Sequence, residues 1–485
     1  MEAEKKVIIV RFSGELSIKP DAEKYQAIER LCKQISLRLS EKNVFIDITH
    51  FHDRFQIKVS EQEVQSVCAV LDRSFGVGNY SLVDFQCSSK EEQILRLVPN
   101  YQDQFSGAEF RVRVKRSGQH SYSSMDLEKK AGAILGKTAK VNLSFPQKVL
   151  HIEVINEEAF LYSEKRKGPG GLPPHKRERA LVLMSGGFDS AVAAWMLMKR
   201  GVCVDYLFCN MGGKSTERQT LQIAKVLSDL WNPDPIAKFI SLDFTDSIED
   251  IKKHSSLTYR QILLKCKMYE AASNVSKILG CYAIVTGEAL GQVSSQSLQN
   301  LRAIDLSTRV SVLRPCIGMD KQEIIKKAYE IGTGVLSAKV LELCGITQGK
   351  AVRKANPSKT DEYLQSLDQS LIEKAIQERT EILLKDVDGK MLQSEYLFVD
   401  EISEGYEVID CRTQKEFSQW HYAGARNLSL RELLANLKSL NKKKKYVLYC
   451  SFGTQTPVAA EIMQQSGFQA YAFKGGIGKL RSLQK

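Results

Sequence analysis

Apolar and polar positions along the chain change period several times, and the changes mark blocks. In residues 1–60, Val7-Ile8-Ile9-Val10-Arg11-Phe12 reads as a strand. Asp21 to Leu39 sets Ile28, Leu31, Ile35 and Leu39 on one helical face, and residues 44–48 and 55–59 read as further strands. In residues 61–165, helices are expected over 62–74, 91–97 and 126–135. Phe110-Arg111-Val112-Arg113-Val114-Lys115 alternates apolar with basic, as a strand with one cationic face would, and Val149 to Val154 alternates again. Gly168-Pro169-Gly170-Gly171-Leu172-Pro173-Pro174 can sustain neither a helix nor a central strand, so residues 166–175 are expected to be a linker. From 176 to 385, apolar runs at 181–184, 202–208, 238–242 and 283–286 alternate with helical stretches at 191–198, 219–230 and 262–279. That order argues for a doubly wound parallel sheet with ligands at the carboxyl ends of its strands. A helix is expected over 364–385 and a linker over 386–403. A last α/β domain follows over 404–485, with strands at 408–412 and 446–449.

At 485 residues the chain has room for about three or four domains, each with its own core. The apolar run Val7 to Val10 is too short for a signal segment or a membrane span, so a cytoplasmic location and no membrane partner are expected. The net charge of +12 points to a polyanionic partner. Arg111, Arg113, Lys115 and Arg116 are the candidate contacts, with Lys165-Arg166-Lys167 behind them; a solvated sheet face is the alternative. Eleven cysteines include no C-x-x-C pair, and there is no H-E-x-x-H. Free thiols are expected rather than disulfide staples, zinc or an iron–sulfur cluster.

The apolar run Leu181-Val182-Leu183-Met184 feeds Ser185-Gly186-Gly187-Phe188-Asp189-Ser190, which opens a helix. Glycines let the backbone approach an oxyanion, and the helix start offers free N–H groups. The alternative is a helix-start turn with Asp189 and Ser190 as caps; six residues in the strand–turn–helix context favour the phosphate site over it. The spacing is not that of a Walker loop. It resembles the PP-loop of ATP-dependent adenylating enzymes. On that reading Ser185, Gly186, Gly187 and Ser190 supply donors to ATP phosphates, and Leu183 and Met184 flank the nucleotide. Asp189, an anion, is better suited to hold Mg2+.

Phe110 to Leu127, with Val141 to Pro146 placed before the last strand of its block, resembles the THUMP domain of tRNA-modifying enzymes. The stretch T-G-E-A-L-G-Q-V-S-S-Q, Thr286 to Gln296, together with the PP-loop and Leu313-Arg314-Pro315, resembles the tRNA 4-thiouridine synthetase family. Val408-Ile409-Asp410-Cys411-Arg412, His421 to Asn427, and Cys450 at a strand end resemble a rhodanese domain. The resemblance covers essentially the whole chain. It implies a ferredoxin-like unit at 1–60, THUMP at 61–165, a PP-loop domain at 176–385 and a rhodanese-like domain at 404–485. It further implies ATP contacts at Lys265, Gly287 and Gln296, and an activity-supporting lysine at Lys321. Cys450 is the implied persulfide carrier, and Cys344 its transient disulfide partner. Rhodanese loops often end in arginine; Thr456 stands there instead, which fits a protein sulfur donor such as a cysteine desulfurase. The implied activity is adenylation of a tRNA uridine followed by sulfur transfer, giving 4-thiouridine. Sulfur supply to a carrier protein of thiamine thiazole synthesis is a further implied outlet, and a homodimer is left open. Rival readings are a THUMP-bearing methyltransferase, a PP-loop ligase and a simple sulfur carrier. The first lacks G-x-G-x-x-G, the second does not need Cys450, and the third does not need Ser185 to Ser190.

Overall fold

A computed structural model describes residues 5–483 except 52, 212, 232–233, 339, 341–351, 389–390, 392–396, 404 and 452–455. The chain forms two compact units, Met1–Pro174 with Lys199–Gly201, and His175–Met198 with Val202–Lys485. Cys344 lies outside the described residues.

The first unit holds two sheets. One is antiparallel, in the order Arg166–Lys167, Val77–Leu82, Lys5–Phe12, Arg54–Ser60, Asp47–His50. Helix Asp21–Ser40 covers it with Ile28, Leu31, Ile35 and Leu39, the four residues the helical spacing singles out. The sheet corrects the expected boundary at 60. Helix Val64–Leu71 and strand Val77–Leu82 share the core of the first 60 residues, because Lys5–Phe12 is a central strand and needs a partner on each side. Arg166–Lys167 pairs with Tyr80 and Asn79, so the start of the expected linker is an edge strand. The second sheet runs Phe85–Ser88, Glu158–Tyr162, Lys148–Ile155, Glu109–Ser117, Lys140–Val141.

The second unit also holds two sheets. In the larger, Ser311–Leu313, Ala283–Val285, His175–Leu183, Val202–Asn210 and Lys238–Asp243 are parallel. Thr380–Leu383 closes its edge antiparallel to Lys238–Asp243. This corrects the helix expected over 364–385. Helix Pro357–Ser366 stops, Asp368 accepts from the Ser370 N–H to start helix Ser370–Gln377, and the chain then extends. The smaller sheet is wholly parallel: Phe398–Val399, Gln469–Phe473, Lys445–Tyr449, Tyr406–Asp410, Arg426–Asn427. Phe398–Val399 is its edge strand, so the expected linker over 386–403 contains part of the last domain.

Candidate functional site

Strand His175–Leu183 ends in the buried pair Leu183 and Met184, and helix Phe188–Met198 begins four residues later. Between them Gly186 adopts φ +76°, a conformation that favours glycine, and an added Cβ would meet Thr220 Oγ1 at 2.9 Å. Ser185 is exposed at the loop tip. Ser190 is buried and turned to the loop itself: its hydroxyl accepts from the Ser185 N–H at 3.3 Å and donates to the Gly187 carbonyl at 3.4 Å. It therefore holds the loop's shape.

Gly287 follows the neighbouring strand Ala283–Val285, and its place is steric. A Cβ there would sit 2.4 Å from both Asp189 C and Ser190 N. The bare backbone lets the end of one strand abut the first turn of the helix beside it.

Asp189 is half-buried and receives Lys321 Nζ at 3.0 Å on each carboxylate oxygen, with Gln292 Nε2 at 3.2 Å from Oδ2. Lys321 is the first residue of helix Lys321–Glu330, which Asp320 and Glu323 cap reciprocally. A cation in a first turn opposes the helix dipole. Asp189 offsets that, and the Lys321 ammonium also lies 5.8 Å from the centre of the Phe188 ring.

Lys265 lies on helix Arg260–Leu279 and donates to Glu288 Oε1 at 2.5 Å. Glu288 also accepts from Tyr269 (2.6 Å), Thr286 (3.2 Å) and Arg314 Nε (2.8 Å). Burial alone would raise this carboxyl; Lys265 and the hydrogen bonds from Tyr269 and Arg314 outweigh it and hold it at about 2. Arg314 is held in turn by Asp305. Glu288 and Arg314 stand inside motifs read from the sequence but had no assigned role. Gln292 likewise stands inside a motif without a role of its own, and Tyr269 and Asp305 lie outside the motifs altogether. Gln296 is buried, and its Oε1 has no partner among the described residues.

The loop, Gly287, Asp189 and Lys321 thus form one cluster, and Lys265 reaches it through Glu288, next to Gly287. For Mg2+, no group of three or more His, Cys, Asp or Glu is assembled among the described residues. One carboxylate beside a glycine turn at a helix start still suits this ion, which keeps waters and takes further oxygens from a bound ligand.

The basic strand Glu109–Ser117 buries Phe110, Val112 and Val114 and turns Arg111, Arg113 and Lys115 outward. Arg116 is on the opposite face, 5.6 Å from the centre of the Tyr122 ring, so the four expected contacts do not share a surface. Lys115 donates to Asp53 at 3.0 Å and Arg111 to the Leu143 carbonyl at 3.1 Å. Lys165 joins the group: burial and the charges of Arg11, Arg113, Lys115 and Arg54 lower its ammonium. Burial and Lys165, Arg11 and Arg113 likewise push His151 down to about 4. Beneath, Glu153 accepts from Arg11 at 2.6 Å and pairs with Arg54, tying the two sheets of this unit.

In the last domain Cys450 follows strand Lys445–Tyr449 and is buried. Side chains tie the strands beside it: Asp410 accepts from Arg412 (Nη2 at 2.5 Å) and from the Tyr449 hydroxyl at 2.7 Å. Ser451 donates to Glu416 at 2.9 Å. Thr456 is fully buried and opens helix Thr456–Gln465. That helix carries Glu461, which accepts from the N–H groups of Lys214 (2.9 Å) and Ser215 (2.5 Å) at the start of helix Gly213–Trp231 in the larger parallel sheet's layer. Nothing in the sequence pattern singles Glu461 out.

A glycine-turned loop on a parallel sheet, a basic strand on a second sheet and a cysteine at a strand end of a third define a multidomain α/β enzyme of the PP-loop class. Family models match at 7–81 (ThiI ferredoxin-like domain), 89–164 (THUMP domain), 175–369 (thiamine biosynthesis protein ThiI) and 396–482 (rhodanese-like domain). The tRNA sulfurtransferase of Desulfurococcus amylolyticus is 34% identical over 484 residues, covering 98% of each chain. That of Yersinia pestis is 31% identical over 95% of this chain and 98% of its own. A solved 4-thiouridine synthetase in complex with RNA and ATP is 26% identical, with a TM-score of 0.67, over 78% of this chain and 99% of its own. The chain belongs to the tRNA sulfurtransferase family. No described helix is long and apolar enough to cross a membrane.

Proposed function

We propose that this enzyme uses ATP to adenylate the C4 oxygen of a tRNA uridine, position 8 in the family, and replaces AMP with sulfur carried as a persulfide on Cys450. The observation that carries the ATP step is the Ser185–Ser190 turn backed by Gly287 and paired to Lys321, in a chain whose structural relative was solved with ATP bound. Loop N–H groups at Gly186 and Gly187 and the exposed Ser185 hydroxyl bind phosphate oxygens, while Ser190, which holds the Ser185 N–H, keeps the turn in shape. Asp189 would hold Mg2+, which when bound neutralises phosphate charge. Lys321 Nζ then turns from Asp189 to the α-phosphate, where negative charge grows as the uridine oxygen attacks. Lys265 stays oriented by Glu288, and the free Gln296 Oε1 accepts from the nucleotide.

Arg111, Arg113 and Lys115 dock tRNA through backbone phosphates. Cys450 receives sulfur from a cysteine desulfurase. Cys344 attacks the inner sulfur of that persulfide, releasing the outer one and leaving a disulfide for reductant to reset. Delivery of sulfur to a thiazole-synthesis carrier needs only the last domain. The test is mass analysis of product tRNA nucleosides, with and without ATP and with and without a desulfurase-charged enzyme. Expected is 4-thiouridine only when both are present. Thiolation without ATP would overturn the adenylation step, and a methylated or unmodified product would overturn the reading.

A further inference from the structure

Cys411 takes no part in that chemistry, yet its position is not that of an ordinary core cysteine. Strands Tyr406–Asp410 and Lys445–Tyr449 are parallel neighbours, with Ile409 opposite Leu448 and Asp410 opposite Tyr449. The last pair of that ladder is closed by the Cys411 N–H, which donates to the Tyr449 carbonyl at 2.9 Å. The next register position therefore sets Cys411 beside Cys450. Side-chain alternation places both on one face. Ile409, Cys411, Tyr446, Leu448 and Cys450 share one core, while Val408, Val447 and Tyr449 share the other. Both are free thiols and both are buried. Adjacent strands lie about 4.8 Å apart, inside the roughly 4.4–6.8 Å between Cα atoms that a disulfide bridges.

We propose that Cys411 and Cys450 are a redox pair within the last domain, in which the Cys411 thiol discharges a Cys450 persulfide that has not been delivered. This rests on the reading of Cys450 as the sulfur carrier. In the step, Cys411 Sγ attacks Cys450 Sγ, the inner sulfur of the persulfide. The Sγ–Sγ bond forms and the bond to the outer sulfur breaks. The outer sulfur leaves with the bonding pair as hydrosulfide and takes up the Cys411 proton. Two thiol sulfurs are oxidised to a disulfide and the sulfane sulfur is reduced to sulfide, so no outside oxidant enters. A small thiol such as dithiothreitol reopens the pair. The neighbourhood sets the tempo: burial, with Cys450 and Asp410 adding to it, pushes the Cys411 thiol well up. The attacking thiolate is scarce, so discharge is slow and a persulfide that meets its acceptor escapes it. An apolar residue at 411 would fill the core equally well and could not do this.

The experiment uses the full chain carrying Cys344→Ser, which removes the other candidate partner. The protein is loaded with cysteine and a desulfurase, freed of reductant, and mapped as non-reduced peptides. A parallel sample is treated with diamide, an azo oxidant that takes two electrons and two protons from paired thiols. Expected is a Cys411–Cys450 peptide in both samples, with one hydrosulfide released per disulfide in the first. In Cys411→Ala and Cys411→Val the persulfide's half-life lengthens about tenfold or more. Loading without a linked peptide in either sample overturns the pair and leaves the sulfur-carrier reading standing. A diamide-linked peptide in protein that never loads upholds the pair and overturns that reading. An unchanged persulfide lifetime in both variants overturns the discharge role.

Discussion

Asp189 and Lys321 meet at 3.0 Å in a partly exposed setting, where such a pair adds only about 1 kcal/mol or less to stability. Their replacement is therefore expected to leave the fold intact and to expose what they do chemically. Asp189→Ala should abolish AMP formation while Cys450 still loads with sulfur. Lys321→Met should lower AMP formation about 100-fold or more with little change in ATP affinity, because its target charge grows only in the transition state. Labelled-ATP turnover and equilibrium ATP binding read the two apart; equal losses in both would remove Lys321 from the chemical step. Glu288 is the opposite case, a carboxylate that is nearly all structure. Its folded carboxyl lies at about 2, below an ordinary 4.5, so its contribution is complete above about 4.5 and is lost as pH falls toward 2. Glu288→Gln should cost about 3 kcal/mol at neutral pH, because Lys265 and Arg314 lose their buried counter-charge. It should also flatten the acid limb of a thermal-melting series; an unchanged limb would dismiss the pairing as the cause.

At the scale of elements, the strand Glu109–Ser117 sorts its own charges. Reversing Arg111, Arg113 and Lys115 should weaken tRNA binding and reduce the log–log salt slope by up to about 0.7–0.9 for each phosphate left unneutralised. Reversing Arg116, on the other face, should do much less; an equal effect in filter binding across a salt series would refute the one-sided surface. The alternation that separates these residues was legible, because period two is a local property of the chain. So was the Ser185–Ser190 turn, whose glycines are written side by side. What stayed illegible depends on distant pairing. Val77–Leu82 carries glycine, asparagine and serine and reads poorly as a strand until Lys5–Phe12 lies against it. Thr380–Leu383 follows two helices and becomes a strand only at the free edge of Lys238–Asp243. Gly287 was legible by family pattern, but its steric reason needs the helix start that packs on it. The Lys265–Glu288 contact joins residues 23 positions apart, and no spacing rule reaches that far.

In the second unit, Glu461 links the last domain to the start of helix Gly213–Trp231. Two charge-assisted hydrogen bonds there are each worth about 1.5–3 kcal/mol. Glu461→Ala should leave Cys450 loading and sulfide-driven thiolation unchanged. It should slow thiolation from the Cys450 persulfide about tenfold or more in single-turnover assays. Equal rates from both sulfur sources would show that the contact serves stability alone. The edge strand Thr380–Leu383 adds a consequence of its own. Fourteen residues separate Leu383 from Phe398, the first strand residue of the last sheet. Fully extended, they span about 50 Å. A last domain released from Glu461's contact remains confined to a sphere of that radius around one sheet edge. Confinement by a short tether corresponds to a local concentration in about the millimolar range. On the proposed reading, sulfur transfer within one chain is then expected to be first-order and independent of enzyme dilution, and a separate last domain added in trans should need millimolar amounts to match it.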